Sequence, residues 1–398
     1  MKDKLFQIFF CFYIFWNAIL CTFLSARGIS MENSIMRNMC FVIALMSWGF
    51  FMTFKHNKQD KRIVLSLLVF GILFYSTIFF YSEGNFAGFT GQFLRWASDC
   101  VAGCLVGMMF VKLRSYELVH RILPFEVLAL SPFLVTTTLA MGVDTGQMHD
   151  EGGYNYQSMS YTCAVLSCFC MYYAFFLRSH NSFVVRLLMA IAIIILAVTC
   201  AMTGGRGGLV LLCVYAVGMA MYALKLKLIS KSKLVILAVI AVFGFMTIAD
   251  SFGLWTSSGF ERSSGFADDD DRWLLWSNVW HNVEDHNYLG WGIGGDYFTD
   301  YGFYTHNILL DWILELGIVG LLIMIRIYVS MAKKLFLLSR QNKTYIIILM
   351  LFVYVLVMNF FSGYWLTQNI HWLVFGVTMS AMTLNNNSTQ NTIVGYNK

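Results

Sequence analysis

Long apolar runs, separated by short polar segments, dominate the chain. Twelve of these runs are long enough to be membrane spans, because a helix of about 20 mostly apolar residues crosses a hydrocarbon core of roughly 30 Å. In lipid such a segment must be helical, since its backbone groups find no water to bind. The predicted spans are 5–25, 37–54, 63–81, 93–111, 122–141, 159–177, 185–202, 207–224, 234–250, 306–328, 345–361 and 369–384.

Lysine and arginine residues are distributed unequally between the two sides of these spans. One side, which includes both chain ends, carries 21 of the 27 basic residues. The positive-inside rule places this side in the cytoplasm. The pattern predicts an all-α polytopic membrane protein with about 12 transmembrane helices. We expect helices 1–9 in residues 1–250, a large outward loop in 251–305, helices 10–12 in 306–384 and a disordered cytoplasmic tail in 385–398.

The composition agrees with this class and narrows the functions that are compatible with it. Hydrophobic residues make up 58% of the chain and charged residues 12%, against about 25% charged in ordinary soluble proteins. The net charge of +5 is spread over short loops, so it does not indicate a nucleic-acid partner. The polar chemistry is concentrated instead between residues 251 and 320, where a reaction or a recognition event is expected.

Arg206 stands between two glycine pairs, in the turn TGGRGG at 203–208. Glycines such as Gly205 let a backbone approach a ligand closely, and a guanidinium at the start of a helix is suited to an anion such as a diphosphate. The alternative is an arginine that reaches the membrane interface above glycines that only turn the chain.

Arg272 follows the acidic run 268–271 and begins the segment RWLLWSNVW. Trp273, Trp276 and Trp280 share one face of a predicted helix. This pattern predicts either an amphipathic helix at the membrane surface or a site in which tryptophans stack on sugar rings and Arg272 contacts phosphate. The acidic run is more typical of solvated charge, or of a helix N-terminus, than of a metal site.

His306 and Asn307 lie where the chain re-enters the membrane. The imidazole can act as a base or bind phosphate or sugar, whereas the alternative is a pair that only caps the helix. Glu315 follows within the apolar run, and carboxylates inside a span usually face the protein interior and serve function. Arg95 and Asp99 are four residues apart and predict either a structural ion pair or an arginine that faces the site.

Two further motifs within the loop do not predict a metal or a nucleotide. His281 and His286, in HNVEDH, lack the spacing of a standard metal site. The glycine-rich run LGWGIGG at 289–295 lacks the complete dinucleotide pattern and a preceding strand. It predicts instead a turn at which the backbone packs close to a ligand.

Three of these features resemble the O-antigen polymerase and O-antigen ligase superfamily of bacterial surface-polysaccharide assembly. They are the TGGRGG turn that opens a span, the large penultimate outward loop with Arg272 and the glycine-rich run, and His306-Asn307 followed after nine residues by Gly317-x-x-Gly320. The last pattern is the most specific. The motifs cover residues 200–320, and the layout of twelve spans is also similar.

The resemblance implies a GT-C-like fold and an inverting, metal-independent glycosyltransferase of the bacterial inner membrane, without a cofactor. Its donor would be a polyprenyl-diphosphate-linked glycan, and its active site would be periplasmic. Arg206 and Arg272 would neutralise the departing diphosphate, and His306 would orient or deprotonate the acceptor hydroxyl. The remaining substrate-binding residues would be Arg95, Asn307, Gly205, Trp276 and Glu315.

Within this class, we expect a polymerase that transfers a growing lipid-linked chain onto the next lipid-linked repeat unit. The alternative is a ligase that transfers the glycan to lipid A-core or another acceptor. A lipid-linked glycan flippase would show polar residues along several spans, whereas here polarity is concentrated at one membrane face. The expected partners are the lipid-linked donor, the glycan or lipid-linked acceptor, the bilayer, and a chain-length regulator or flippase of the same pathway.

Overall fold

Helices form almost all of the chain that the structure describes, and no strand occurs there. This computed structural model describes residues 1–25, 34–140, 156–177, 182–225, 227, 230–251, 270–299, 302 and 304–395. The helices are α1 (Lys2–Ser25), α2 (Ser34–Thr53), α3 (Lys58–Ser76), α4 (Phe86–Arg95), α5 (Val101–Phe110), α6 (Glu117–Ala140), α7 (Tyr156–Met171), α8 (Phe183–Met202), α9 (Arg206–Lys225), α10 (Lys231–Ser251), α11 (Asp270–Asp285), α12 (Ile308–Gln341), α13 (Tyr345–Phe361) and α14 (Asn369–Gly395). The all-α class predicted from the apolar runs is confirmed.

The described helices have the length and composition of membrane spans. Eight continuous helical segments are long and apolar enough to cross a bilayer, and three shorter helices are also apolar. Each of the twelve predicted spans coincides with a helix. The chain is therefore a multi-pass membrane protein, while the number of spans and their orientation stay predictions.

The last helix extends further than the sequence pattern predicts. α14 continues to Gly395, through residues for which a disordered tail was expected. Propagating an existing helix costs far less than nucleating one, and no glycine or proline interrupts residues 385–394. A polar composition was therefore a poor guide to where this helix ends.

The first of two compact units comprises Met1–Phe6, Arg37–Arg114 and Asp268–Lys398. Within it α5 and α14 pack closely, since a Cβ on Gly107 would lie 2.1 Å from the carbonyl oxygen of Leu373. Small residues at helix contacts allow such close approach in membranes.

Aromatic side chains connect this helix pair to its neighbours in the same unit. The ring of Trp372, on α14, lies 5.9 Å from that of Trp96 and 6.4 Å from that of Trp365. Trp365 belongs to the short 3₁₀ turn Trp365–Thr367, which precedes α14. The packing of α14 therefore fixes the connection between α13 and α14, which reaches the candidate site.

The second unit comprises Gln7–Met36 and Ser115–Ala267. Within it α7 packs against α8 and α9. The hydroxyl of Ser160, on α7, donates a hydrogen bond of 2.8 Å to the carbonyl of Gly205. The glycine turn between α8 and α9 is thus fixed against α7.

A kink at Gly317 divides α12 and explains the first glycine of the predicted family motif. Gly317 has φ 70° and ψ −176°, which is not helical. The kink leaves the carbonyls of Leu314 and Glu315 available to the backbone amides of Trp291 and Gly292, each at 2.8 Å. The amide of Ile318 donates in turn to the carbonyl of Tyr288. The glycine-rich run therefore packs against α12, where the sequence had predicted a turn beside a ligand.

Replacing Gly317 by alanine should destabilise the protein. An added Cβ would lie 2.5 Å from the carbonyl oxygen of Tyr288, at a positive φ that alanine rarely adopts. Strain of this kind costs about 1–3 kcal/mol, so we expect Gly317→Ala to lower the melting temperature of the purified protein in detergent. Gly49→Ala is the control, because nothing lies within 4 Å of its Cβ position. Equal melting temperatures for the two variants would contradict this role of the kink.

Candidate functional site

His306 lies immediately before a well-capped helix in the first unit. Asn307 is the N-cap of α12, and its side chain accepts hydrogen bonds from the amides of Leu309 and Leu310 at 3.0 and 3.4 Å. The capping interpretation of Asn307 is therefore confirmed, and substrate binding by this residue stays a prediction. A rigid helix start fixes the backbone from which the histidine projects.

A second polar contact fixes the residue that precedes the histidine. Asp311 is fully buried. Its Oδ1 accepts hydrogen bonds from the backbone amide and the hydroxyl of Thr305, at 2.9 and 2.7 Å. His306 therefore lies between two anchored residues, with φ 59°. Histidine is among the residues that tolerate this left-handed conformation, which is common at functional sites.

The imidazole of His306 is oriented by a backbone carbonyl. Its Nδ1 lies 3.3 Å from the carbonyl oxygen of Ser362. A carbonyl oxygen can only accept, so Nδ1 carries the proton in this hydrogen bond. In the neutral imidazole Nε2 then holds the lone pair. The half-buried His306 is thus arranged to accept a proton at Nε2.

Arg95 acts electrostatically on a tyrosine of the histidine segment. Burial raises the pKa of Tyr304, and the positive charge of Arg95 opposes that rise. The ring of Tyr304 lies 4.6 Å from that of His306. Arg95 is exposed, whereas Asp99 is buried. Asp99 lies within the π-helical turn Trp96–Cys100, which follows Arg95 and alters the angle between two side chains four residues apart.

Apolar residues on both sides of Arg95 line a cavity of about 560 Å³. The lining is almost entirely hydrocarbon and aromatic, and it includes Trp48, Gly71, Tyr75, Phe93, Trp96 and Leu105. The helices that form it are α2 to α5, all within the first unit. An exposed cation thus lies beside an apolar cavity on helices of membrane-spanning character.

Glu315 is buried and hydrogen-bonded within the protein. Its Oε1 accepts from the hydroxyl of Tyr364 at 2.5 Å, and its Oε2 accepts from the indole of Trp365 at 3.2 Å. The Tyr364 hydroxyl also lies 3.1 Å from Oδ1 of Asp296. A carboxylate with these contacts is placed to organise the site. Direct binding of substrate by Glu315 stays a prediction.

Arg206 and Gly205 belong to the second unit. Arg206 is the first residue of α9 and is half-buried. A cation at a helix N-terminus opposes the helix dipole, and a bound anion would offset this repulsion. A Cβ on Gly205 would lie 2.5 Å from Cβ of Ser160, and one on Gly208 would lie 2.0 Å from its Oγ. The glycines are therefore required by packing against α7, and ligand contact at Gly205 stays a prediction.

Arg272 lies in the first turn of α11, and its side chain falls outside the described residues, as does that of Trp273. The predicted helix is confirmed, and it begins at Asp270, within the acidic run. The face that packs against α12 is formed by Leu275, Val279 and Val283. Trp276 is half-buried beside this face, and a sugar contact there stays a prediction.

The two loop histidines take part in local contacts. His281 is exposed, with Nδ1 3.9 Å from a carboxylate oxygen of Glu284. The ring of His286 lies 3.9 Å from that of Trp291. Among the described residues, no group of three or more histidine, cysteine or acidic side chains is arranged to hold a metal ion.

Sequence reasoning missed Asp296, Tyr304 and Tyr364. Asp296 directly follows the glycine-rich run, in a largely aromatic segment that also holds Asp300. A carboxyl between glycine and aromatic residues was an available signal, since it needs a partner where it is buried. No local pattern marks the two tyrosines, because the stacking that brings them together joins residues that are far apart in the chain.

Comparison with known proteins gives a family match for one region of the chain. Residues 191–325 match the family described as O-antigen ligase. This match confirms the resemblance to the O-antigen ligase and polymerase superfamily. The matched segment covers about a third of the chain and includes Arg206, Arg272 and His306, whereas Arg95 lies outside it. Members of the O-antigen ligase family are glycosyltransferase-like enzymes of membranes. No curated protein and no solved structure matches the chain.

Proposed function

We propose that the chain polymerises polyprenyl-diphosphate-linked repeat units at the periplasmic face of the bacterial inner membrane. The observation that carries this proposal is the geometry of His306. The residue stands at a capped helix start, within the matched family segment, with Nδ1 donating to the carbonyl of Ser362, so that Nε2 carries the lone pair of the neutral imidazole. This arrangement suits a base acting on the acceptor hydroxyl.

The proposed reaction is a single displacement at the anomeric carbon of the donor. The acceptor hydroxyl oxygen forms the new glycosidic bond while the bond to the diphosphate oxygen breaks. The hydroxyl proton passes to Nε2 of His306, and the electron pair of the broken bond leaves on the polyprenyl diphosphate. Attack opposite the leaving group inverts the anomeric centre, and no metal or cofactor is required.

Stabilisation of the leaving diphosphate is assigned to the arginines. Preorganised guanidinium groups are effective where negative charge develops in the transition state. The proposed role of Arg206 is supported by its position at the start of α9 and by the family match. The proposed role of Arg272 is supported by the family match alone. A role of Arg95 is supported by its electrostatic influence on Tyr304 and by the apolar cavity lined by its chain neighbours Phe93 and Trp96, which has a lining suited to a lipid chain.

Deletion of the gene in its host distinguishes polymerisation from ligation. We expect the deletion strain to carry single repeat units on the acceptor, because ligation would continue without polymerisation. Gel separation of the surface glycan measures this directly. Loss of all attached glycan would contradict polymerisation and indicate a ligase. Glycan of unchanged length distribution would contradict both activities.

The proposed protein partner is a chain-length regulator or a flippase of the same pathway.

A further inference from the structure

One short segment of the first unit contacts both His306 and a buried pair of carboxyl groups. The carbonyl of Ser362 lies 3.3 Å from Nδ1 of His306. Two residues later, the hydroxyl of Tyr364 lies 2.5 Å from Glu315 and 3.1 Å from Asp296. The connection between α13 and α14 therefore joins the histidine to groups that the reaction itself does not use.

The carboxyl pair and the tyrosine are removed from solvent. The exposed fraction is 0% for Asp296, 1% for Glu315 and 2% for Tyr364. Two adjacent carboxyl groups cannot both be ionised in such surroundings without a large free-energy cost, so the pair shares a proton. In agreement, burial raises the pKa of Asp296. Three hydrogen-bonding groups thus hold one another at a fixed place behind the histidine segment.

The ring of Tyr364 extends this arrangement toward the histidine. It stacks on the ring of Tyr304, with centroids 4.9 Å apart and an interplanar angle of 14°. Tyr304 in turn contacts the imidazole of His306 edge to face, at 4.6 Å and 64°. Aromatic pairs of both kinds are favourable and have defined geometry. The position of Tyr364 consequently limits the positions that Tyr304 and His306 can take.

The backbone of His306 needs such support. Its φ of 59° is a strained conformation for a residue with a side chain, and it persists only where the surroundings enforce it. Asn307 fixes the chain on one side through the helix cap. On the other side Asp311 holds Thr305, and the stacked tyrosines are placed to act next to it.

We propose that Tyr364, anchored by Glu315 and Asp296, is a positioning residue that orients His306 through the ring of Tyr304. The inference rests on the proposed glycosyl transfer at His306. Tyr364 is too deeply buried to touch substrate, so its effect is on the orientation of the base.

Loss of the shared proton would place two negative charges side by side and loosen the anchor. The titratable and charged groups around Asp296 are Glu315 and Asp311 of α12, Tyr364, the neighbouring Tyr297 and Tyr304, and Arg95 beyond Tyr304.

Tyr364→Phe tests the anchor while keeping the stacked ring. With purified protein and lipid-linked repeat units, we expect kcat to fall roughly ten- to hundredfold, since a small displacement of a catalytic group has effects of this size. KM should change little. The matched control is Tyr328→Phe, which removes another buried tyrosine hydroxyl, 2.6 Å from Nε2 of His371 on α14. Both variants should lose thermal stability, but only Tyr364→Phe should lose kcat.

Glu315→Gln provides the second test. A glutamine side chain can still accept from Tyr364 through its amide oxygen, although it loses the hydrogen bond from the indole of Trp365, and it cannot lose a proton near neutral pH. We expect Glu315→Gln to retain more kcat than Glu315→Ala and to lose less of its activity at high pH than the wild type, whereas Glu315→Ala should behave like Tyr364→Phe. Wild-type kcat in Tyr364→Phe, alongside an inactive His306→Ala, would overturn the positioning role alone. A wild-type protein without transfer activity would overturn the proposed function and this inference with it.

Discussion

Replacing His306 by alanine should reduce glycan polymerisation by at least about 100-fold, because a general base contributes roughly 10²–10⁴ to a rate. The variant should accumulate to the wild-type level, since the imidazole is only half-buried and the cap at Asn307 does not depend on it. The measurement is the length distribution of the surface glycan in a deletion strain that carries the variant, normalised to protein level.

His281→Ala is the matched control for this experiment. His281 lies in the same unit, on α11, and is exposed to solvent. Its removal should leave glycan length unchanged. If the two histidine variants gave equal amounts of long-chain glycan, His306 could not be the base.

Replacing Arg206 by alanine should reduce the rate by about 100–1000-fold, the range observed when one preorganised donor to a developing anion is removed. The expected effect follows from the position of Arg206 at the start of α9, where the helix dipole and the guanidinium both favour an anion. Arg206→Lys should restore part of the activity, because lysine keeps the charge but loses the bidentate geometry. Both variants are compared with the wild type by the rate of glycan transfer of the purified protein.

Arg121→Ala is the control for the loss of a positive charge within the second unit. Arg121 is exposed and pairs with Glu117 on the same helix, and exposed pairs of this kind contribute little to stability. We expect activity close to that of the wild type. Full activity of Arg206→Ala would exclude a role for this arginine in stabilising the leaving group.

The positions of the helices could be predicted from the sequence because each span satisfies its own backbone hydrogen bonds and needs a continuous apolar run. Each helix is therefore a local property of the chain. The family motif was equally local, since His306 and Gly317 lie within one segment that both caps and kinks a single helix.

The interactions behind the histidine could not be predicted in this way. The contact between Tyr364 and Asp296 spans 68 residues, and the contact between Tyr364 and Glu315 spans 49. Such contacts depend on how helices pack, which periodicity does not encode. Glu315 illustrates the consequence: its place in an apolar run indicated a role inside the protein, but not that Tyr364 and Trp365 would be its partners.

Local irregularities of the backbone were also beyond the reach of pattern analysis. The spacing of Arg95 and Asp99 predicts a shared face only for a regular α-helix. The π-helical turn Trp96–Cys100 adds a residue to the turn between them. The glycines of the loop were similarly ambiguous, because close approach to a ligand and close approach to α12 require the same residue type.

The most direct test of catalysis at His306 is transfer by purified protein in lipid vesicles supplied with polyprenyl-diphosphate-linked repeat units. We predict that the wild type forms longer lipid-linked chains and releases one polyprenyl diphosphate for each new glycosidic bond, while His306→Ala forms neither product. Absence of chain growth with the wild type, or equal chain growth with His306→Ala, would contradict the proposal.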